Sequence, residues 1–267
     1  MLAEDYFREG NLGGALEELQ NQIRNHPENS GYRVFLFQLL AILGQWKRAL
    51  SQLDVLDNLE QSTWPMVHIY REAIRCEILR ADVFAGRRKP MIFGEPPQWM
   101  AMLLESLRLI GEAQYGPAVA LRDQAFESAA ESSGTIDEQP FSWIADADSR
   151  LGPVLEIILN GRYFWAPIQQ IRAIKMTAVT DLRDLVWLPA HFTWVNGGEV
   201  FGLIPTRYPG SETAQDTSIQ LARRTEWIEL AEGVLQGLGQ RMLATDQDEY
   251  PLLDIRSVTV NNESTVD

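Results

Sequence analysis

Gly10-Asn11-Leu12-Gly13-Gly14-Ala15-Leu16 returns 34 residues later as Gly44-Gln45-Trp46-Lys47-Arg48-Ala49-Leu50. Four positions keep their character across that interval: Gly10 and Gly44, Leu12 and Trp46, Ala15 and Ala49, Leu19 and Leu53. This spacing is the period of tetratricopeptide helical hairpins. The residue types suit such a unit. A glycine ends one helix and turns the chain, and a small alanine lets the paired helix pack closely. Pro27 follows the second helix of the first repeat and stops it. A degenerate third copy, Tyr115, Ala118 and Arg122, lies 69 residues after Trp46, Ala49 and Leu53, close to two periods.

The segments between these turns read as helices. Tyr32, Phe35, Leu36, Leu39, Leu40 and Leu43 recur at helical spacing, while Val34, Phe37 and Ile42 add apolar side chains on other faces. A helix greasy nearly all round is a buried, central one. Ser62 or Thr63 is suited to cap the next helix, with Pro65 in its first turn. It should run to about Phe84, with Val67, Tyr70, Ile74, Ile78 and Leu79 facing inward. Gly86-Arg87-Arg88-Lys89-Pro90 breaks it, and the chain through Gly94-Glu95-Pro96-Pro97 reads as a loop. Residues 99–109 and 117–130 form a third helical pair.

Residues 131–139 are polar and contain Ser132-Ser133-Gly134, which marks a domain boundary. Beyond it the hydrophobic period changes. Val154-Leu155-Glu156-Ile157-Ile158-Leu159 ends at Asn160-Gly161, a strong hairpin turn, and residues 162–165 begin the return strand. Residues 168–176 make a further strand, and 190–195 and 199–205 a second hairpin around Asn196-Gly197-Gly198. Residues 220–227 and 252–260 read as late strands, and Gly237-Leu238-Gly239 argues against a helix nearby. Residues 261–267 are expected to fray. The expected fold class is α+β. A tetratricopeptide-like α-helical repeat domain, 1–133, is followed by a smaller mixed, mostly β domain, 140–260.

Composition narrows the function. The 267 residues carry 37 Asp and Glu against 23 Lys and Arg, a formal charge of −14. Such a chain offers no broad basic face for a phosphate backbone, so nucleic acid is not an expected partner. A hydrophobic fraction of 45% is that of a globular protein. Cys76 is the only cysteine, which suits a reducing compartment. The amino terminus lacks the basic region of a signal peptide, and the greasy run 34–43 is about half a membrane span. A soluble, cytoplasmic protein without membrane insertion is expected.

The costliest residues gather between Trp143 and Tyr208. Trp143-Ile144-Ala145-Asp146-Ala147-Asp148-Ser149-Arg150-Leu151-Gly152-Pro153 opens the stretch. It continues through Asn160-Gly161-Arg162-Tyr163-Phe164-Trp165 and Asp181-Leu182-Arg183-Asp184-Leu185-Val186-Trp187, and closes with Thr206-Arg207-Tyr208-Pro209-Gly210. In order and spacing these motifs resemble the carboxy-terminal domain of the ImpE/TagJ (SciE-type) family, accessory proteins of bacterial type VI secretion. The resemblance extends from Leu12-Gly13-Gly14-Ala15-Leu16 to Tyr250-Pro251-Leu252-Leu253-Asp254-Ile255-Arg256. It implies a cytoplasmic adaptor that binds the small subunit of the contractile sheath and links it to the AAA+ ATPase that disassembles the sheath. No enzymatic activity and no cofactor are implied.

The residues themselves carry little complete chemistry. Asp146 and Asp148 form an Asp-x-Asp pair suited to magnesium or calcium. The calcium-loop glycine falls one place late, at Gly152, and Ile157 stands where the bidentate glutamate belongs. Pairing of these aspartates with Arg150, Arg183 or Arg207 is the competing account. His26, His68 and His191 show no metal-ligand spacing, and His191 reads as a satisfied core histidine. No Gly-x-Ser-x-Gly, Walker loop or dinucleotide fingerprint is present. Cys76 reads as a buried small hydrophobe. Trp143, Tyr163, Trp165, Trp187, Trp194 and Tyr208 are read mostly as β-domain core, with at most two lining a peptide groove edged by Arg183 and Arg207. An enzyme built on Asp146, Asp148, Arg150, Arg183 and Asp184 is the weaker alternative to an adaptor.

Overall fold

The computed structural model describes residues 2–261. The first half is helical: α1 (Ala3–Arg8), α2 (Leu12–Asn25), α3 (Ser30–Ile42), α4 (Trp46–Leu59), α5 (Trp64–Phe84), α6 (Gln98–Gly111) and α7 (Tyr115–Ser128). The Asn11 side chain caps α2 by accepting the Gly14 N–H at 2.9 Å. Gly10 and Gly44 occupy left-handed backbone, φ 77° and 64°, where the chain turns into α2 and α4. Ala15, Ala49 and Ala118 have no exposed surface. From Leu36 to Ile42, α3 is buried at every residue, as its all-round apolar pattern requires.

Several local expectations give way. Thr63 stands at the start of α5 but makes no cap; its hydroxyl donates backward to the Leu56 and Glu60 carbonyls. Ile78 is exposed, because the inward stripe of α5 runs through Ala73, Ile74, Cys76, Glu77 and Arg80 instead. The loop 86–97 contains a two-residue strand, β1 (Met91–Ile92), laid parallel to a strand of the second half. The polar stretch 131–139 is largely paired backbone: β2 (Gly134–Ile136) and β3 (Gln139–Phe141) form a hairpin. The strand expected over 220–227 starts late, since α8 (Thr217–Gln220) precedes it. The strand expected over 252–260 begins with a 3-10 turn, Leu252–Asp254. Of the expected fraying tail, 262–267 lies outside the described residues.

The second half is mostly β. Its strands are β4 (Ile144–Asp146), β5 (Val154–Leu159), β6 (Arg162–Pro167), β7 (Ile171–Met176), β8 (Trp187–Trp194), β9 (Glu199–Pro205), β10 (Thr225–Ala231), β11 (Val234–Gly239), β12 (Met242–Thr245), β13 (Glu249–Pro251) and β14 (Ser257–Val260). Nine of the strands form one sheet, ordered β1-β6-β5-β9-β8-β7-β14-β2-β3. Three more form a small sheet, β13-β12-β4, and among the described residues β10 pairs only with β11.

The six residues of β5 are all buried, so this strand is covered on both faces. Val154 and Ile158 join the core of the helical half. Leu155, Ile157 and Leu159 join a second core, shared with Ile144 of β4 and Leu243 of β12. The chain is therefore layered: helices, large sheet, small sheet. Aromatic rings fasten the first two layers. Trp187 lies with its ring centroid 6.1 Å from that of Trp46 and 5.6 Å from that of Tyr70, and Trp165 lies 5.9 Å from Phe84. Among the described residues no helix is long and apolar enough to cross a membrane.

Ala15→Leu or Ala49→Leu should overpack a helix contact and lower unfolding free energy by about 1–3 kcal/mol in urea denaturation. A change under about 0.5 kcal/mol at both positions would mean that the helices part without cost.

Candidate functional site

The helical stripe of α5 places Glu77 and Arg80 against the centre of the large sheet, where β5 presents Glu156. Glu156 has no exposed surface. Arg80 reaches it with two N–H groups, Nε to Oε1 at 2.6 Å and Nη2 to Oε2 at 2.9 Å. Arg241 donates to the same Oε2, and the Tyr163 hydroxyl donates to Oε1. Tyr163 in turn accepts the Trp165 indole N–H at 2.7 Å. The Trp187 indole N–H donates to Glu77 at 3.0 Å. One carboxylate thus gathers residues from α5, β5, β6 and the segment before β12.

Arg241 extends the cluster. Its Nε donates to the Pro205 carbonyl at 3.0 Å, and Nη1 donates to Asp146. Asp146 also accepts the Tyr208 hydroxyl and the Asp148 backbone N–H, each at 2.9 Å. Asp148 accepts from Arg150 at 2.8 Å and from the Gly237 N–H at 3.0 Å. The Arg150 guanidinium lies over the Phe84 ring, 4.8 Å from its centroid. Arg207 turns to the helical layer and donates to the Ile42 carbonyl at 2.8 Å, at the carboxy-terminal end of α3.

The charges balance. By count Arg80, Arg207 and Arg241 match Glu77, Asp146 and Glu156, and all six residues are buried; Arg80 and Arg241 pair directly with the three carboxylates, while Arg207 donates to backbone carbonyls. A buried charge left alone would be strongly destabilising, so each must find its counterpart. The cluster is not uniform. Burial pushes the Glu156 carboxyl up, but the guanidiniums of Arg80 and Arg241 outweigh it and hold it at about 2. Burial raises Asp146 to about 6, against the pull of Arg241. Burial likewise raises Glu77, which Arg80 only partly offsets. The Cys76 thiol, buried on the same helix, is pushed up to about 12 and stays protonated.

Not all the residues singled out in the sequence meet here. Asp146, Tyr163, Trp165, Trp187, Arg207 and Tyr208 lie in the cluster, and Asp148 with Arg150 borders it. Arg183 and Asp184 stand apart, on the 3-10 turn Leu182–Leu185. Asp184 accepts the Thr180 and Asp181 N–H groups at 2.9 Å, closing that turn. Arg183 pairs with Asp181 at 2.5 Å and lies over the Tyr70 ring, so it meets neither Asp146 nor Asp148. Asp146 pairs with Arg241, which the sequence reading did not weigh. Trp143 is partly exposed rather than core, and His191 is half-buried beside Phe201, 3.6 Å from Glu199. A separate open trough of about 1030 Å³, walled by Phe93, Trp194 and Gln170, shares no residue with the charge cluster.

Glu77, Arg80, Glu156 and Arg241 were missed. One sign was available: Glu156 interrupts an otherwise apolar six-residue strand. A glutamate there needs a buried cation, although the strand gives no clue to its place in the sequence.

A helical layer joined to a large sheet through a charge-balanced, closed centre is the class of molecule seen here. The sequence model of the family described as ImpE protein matches residues 138–259. The type VI secretion system accessory component TagJ of Pseudomonas aeruginosa is 49% identical over 258 residues, which is 97% of this chain and 90% of TagJ. The crystal structure of protein VPA1032 from Vibrio parahaemolyticus superposes with a TM-score of 0.90, at 26% identity, over 99% of each chain. The chain belongs to the ImpE/TagJ family of type VI secretion accessory proteins.

Glu156→Ala leaves Arg80 and Arg241 without their shared carboxylate. It should cost about 3–5 kcal/mol of stability, read by urea denaturation. A loss below about 1 kcal/mol would show that the arginines find other partners.

The shifted carboxyls also set a pH profile, in which the raised Glu77 acts in the same direction as Asp146. Glu156, lowered from 4.5 to about 2, contributes stability that is full above 4.5 and lost as pH falls toward 2. Asp146, raised from 3.8 to about 6, acts oppositely: its ionised form is disfavoured in the fold, so protonation below about 6 adds stability. Thermal midpoints should therefore hold or rise between about pH 7 and 5 and fall below about pH 3.8, where Asp146 no longer offsets Glu156. A steady decline from neutral pH downward would contradict the Asp146 assignment.

Proposed function

We propose that this chain is a non-enzymatic adaptor of a type VI secretion machine, acting in the cytoplasm. It binds the small subunit of the contractile sheath and connects it to the AAA+ ATPase that disassembles the sheath. Its relation to the accessory component TagJ across nearly the whole chain supports the type VI secretion part of this reading.

The helical part, 1–133, supplies a tetratricopeptide-like platform, and the part 140–260 serves as support or as a second contact. Three observations favour that division. First, α2 and α4 begin 34 residues apart, at Leu12 and Trp46, with Ala15 and Ala49 buried at matching places. Second, Val55 and Leu59 share an exposed face of α4, and Trp64, 64% exposed, opens α5 just beyond it. Third, Asp54 and Asp57 on α4 surround that face with negative charge, though Arg71 partly offsets it. An apolar-faced helix or an extended segment carrying lysine or arginine suits such a surface.

The non-enzymatic reading is favoured by the closure of the charge cluster. Asp146, Asp148, Glu156 and Asp184 are buried and accept hydrogen bonds from within the chain. An enzyme using these carboxylates would need at least one of them to reach a substrate. In this reading the cluster is structural and the aromatics Tyr163, Trp165, Trp187 and Tyr208 are core.

Titration of the full chain against the isolated small sheath subunit, at low and high salt, tests the reading. Binding is expected, weaker at high salt, and Trp64→Ala combined with Leu59→Ser should reduce affinity about tenfold or more with little change in thermal midpoint. Absence of binding by the full chain would sink the adaptor reading. Undiminished binding by the double variant would move the contact off α4 and α5.

A further inference from the structure

β10 and β11 form a ribbon that joins neither larger sheet. The outer edge of β11 is engaged by neighbouring segments of the chain. The Gly237 N–H donates to Asp148 at 3.0 Å, the Gly239 N–H donates to the Ser211 hydroxyl at 2.7 Å, and the Leu235 carbonyl accepts the Ser149 hydroxyl at 3.0 Å. In an antiparallel pair, residues alternate between facing their partner and facing away. Residues 235, 237 and 239 therefore turn their backbone groups away from β10. Their partners Glu229, Trp227 and Thr225 turn theirs away from β11, to the far side of β10. No strand occupies that side among the described residues.

That edge is built like a template. Thr225 to Glu229 pair with β11 in unbroken register, and the bulge comes only between Glu229 and Ala231. β10 contains neither proline nor lysine, the residues that commonly blunt an edge. Trp227, Ile228 and Leu230 are 36%, 41% and 36% exposed. The ribbon is nonetheless anchored. Trp227 lies against Tyr208, ring centroids 5.6 Å apart, and the same ring covers Gly237, where a Cβ would meet it at 2.3 Å.

Charge identifies the occupant. Glu226, Glu229 and Glu232 follow one another at intervals of three. Glu226 is paired with Arg224, whereas Glu229 and Glu232 make no ion pair among the described residues. A second copy fits badly. In the antiparallel register centred on Glu229, two such edges would set Glu229 against Glu229, on chains that each carry −14.

We propose that the free edge of β10 accepts, by strand addition, an extended segment of another protein in which apolar residues alternate with lysine or arginine. Backbone hydrogen bonds to Thr225, Trp227 and Glu229 give the affinity, and the glutamates select the basic sequence. The site is separate from the α4–α5 surface and stands whether or not the sheath subunit is the partner there.

The probe is a labelled synthetic decapeptide of alternating valine and lysine, titrated by fluorescence anisotropy against the full chain. It should bind, less tightly as salt rises. The same peptide N-methylated at alternate amides should bind at least about tenfold more weakly, as should one with glutamate for lysine. Glu229→Pro removes an outward N–H without touching the ladder to β11, and should have the same tenfold effect. If Glu229→Pro unfolds, the N-methylated peptide on the native chain decides alone. The proposal is overturned if the parent peptide does not bind, or if the N-methylated one binds as tightly. Self-association of the chain that Glu229→Pro abolishes would also overturn it, by making a second copy the occupant.

Discussion

Everything in this molecule is arranged around one ionised carboxylate in the middle of a strand. Glu156 lies on the face of β5 that meets the helices, between Val154 and Ile158, where water does not reach. A charge placed there has to be answered from several directions at once. Arg80 arrives from the helical layer, Arg241 from the chain leading into β12, and Tyr163 from the neighbouring strand. Each answer commits a different part of the chain. The register of β5 against β6, the rotation of α5 and the path before β12 are fixed together.

Apolar packing surrounds this centre and would not by itself choose it. Trp187 illustrates the division of labour. Its ring fills space between Trp46 and Tyr70, while its single N–H goes to Glu77. The ring supplies buried area and the N–H supplies direction. Arg207 does the same at the end of α3, where it donates to the carbonyl of Ile42 in the last turn of the helix.

The legible parts of the sequence were those governed by neighbours. The turn at Asn160-Gly161, the hairpin around Asn196-Gly197-Gly198 and the apolar stripe of α3 each depend on residues within one or two turns of chain. The missed parts depend on distance. Gly134 and Phe141 pair because β14 lies beside β2, which a polar stretch with two serines does not announce. Met91 and Ile92 become a strand only because β6 offers an edge. In the same way, the aspartates and aromatics of the middle stretch stood out by their residue types, whereas nothing adjacent to Arg80 or Arg241 in the sequence sets them apart. Arg183 shows the opposite error: it sits within the dense stretch but serves a local turn.

The sequence separation of these contacts has a consequence for how the chain assembles. Arg80 meets a glutamate 76 residues later, that glutamate meets an arginine 85 residues later still, and α3 receives its terminal donor from 165 residues downstream. During synthesis the helical half leaves the ribosome long before its counter-charges exist. It must wait with Glu77 and Arg80 still hydrated and Trp46 uncovered, a state in which holding chaperones or a slow final step become relevant. We expect refolding to end in a slow phase in which the two layers dock, and stopped-flow tryptophan fluorescence of Arg241→Ala should show that phase altered while early helix formation by circular dichroism is not.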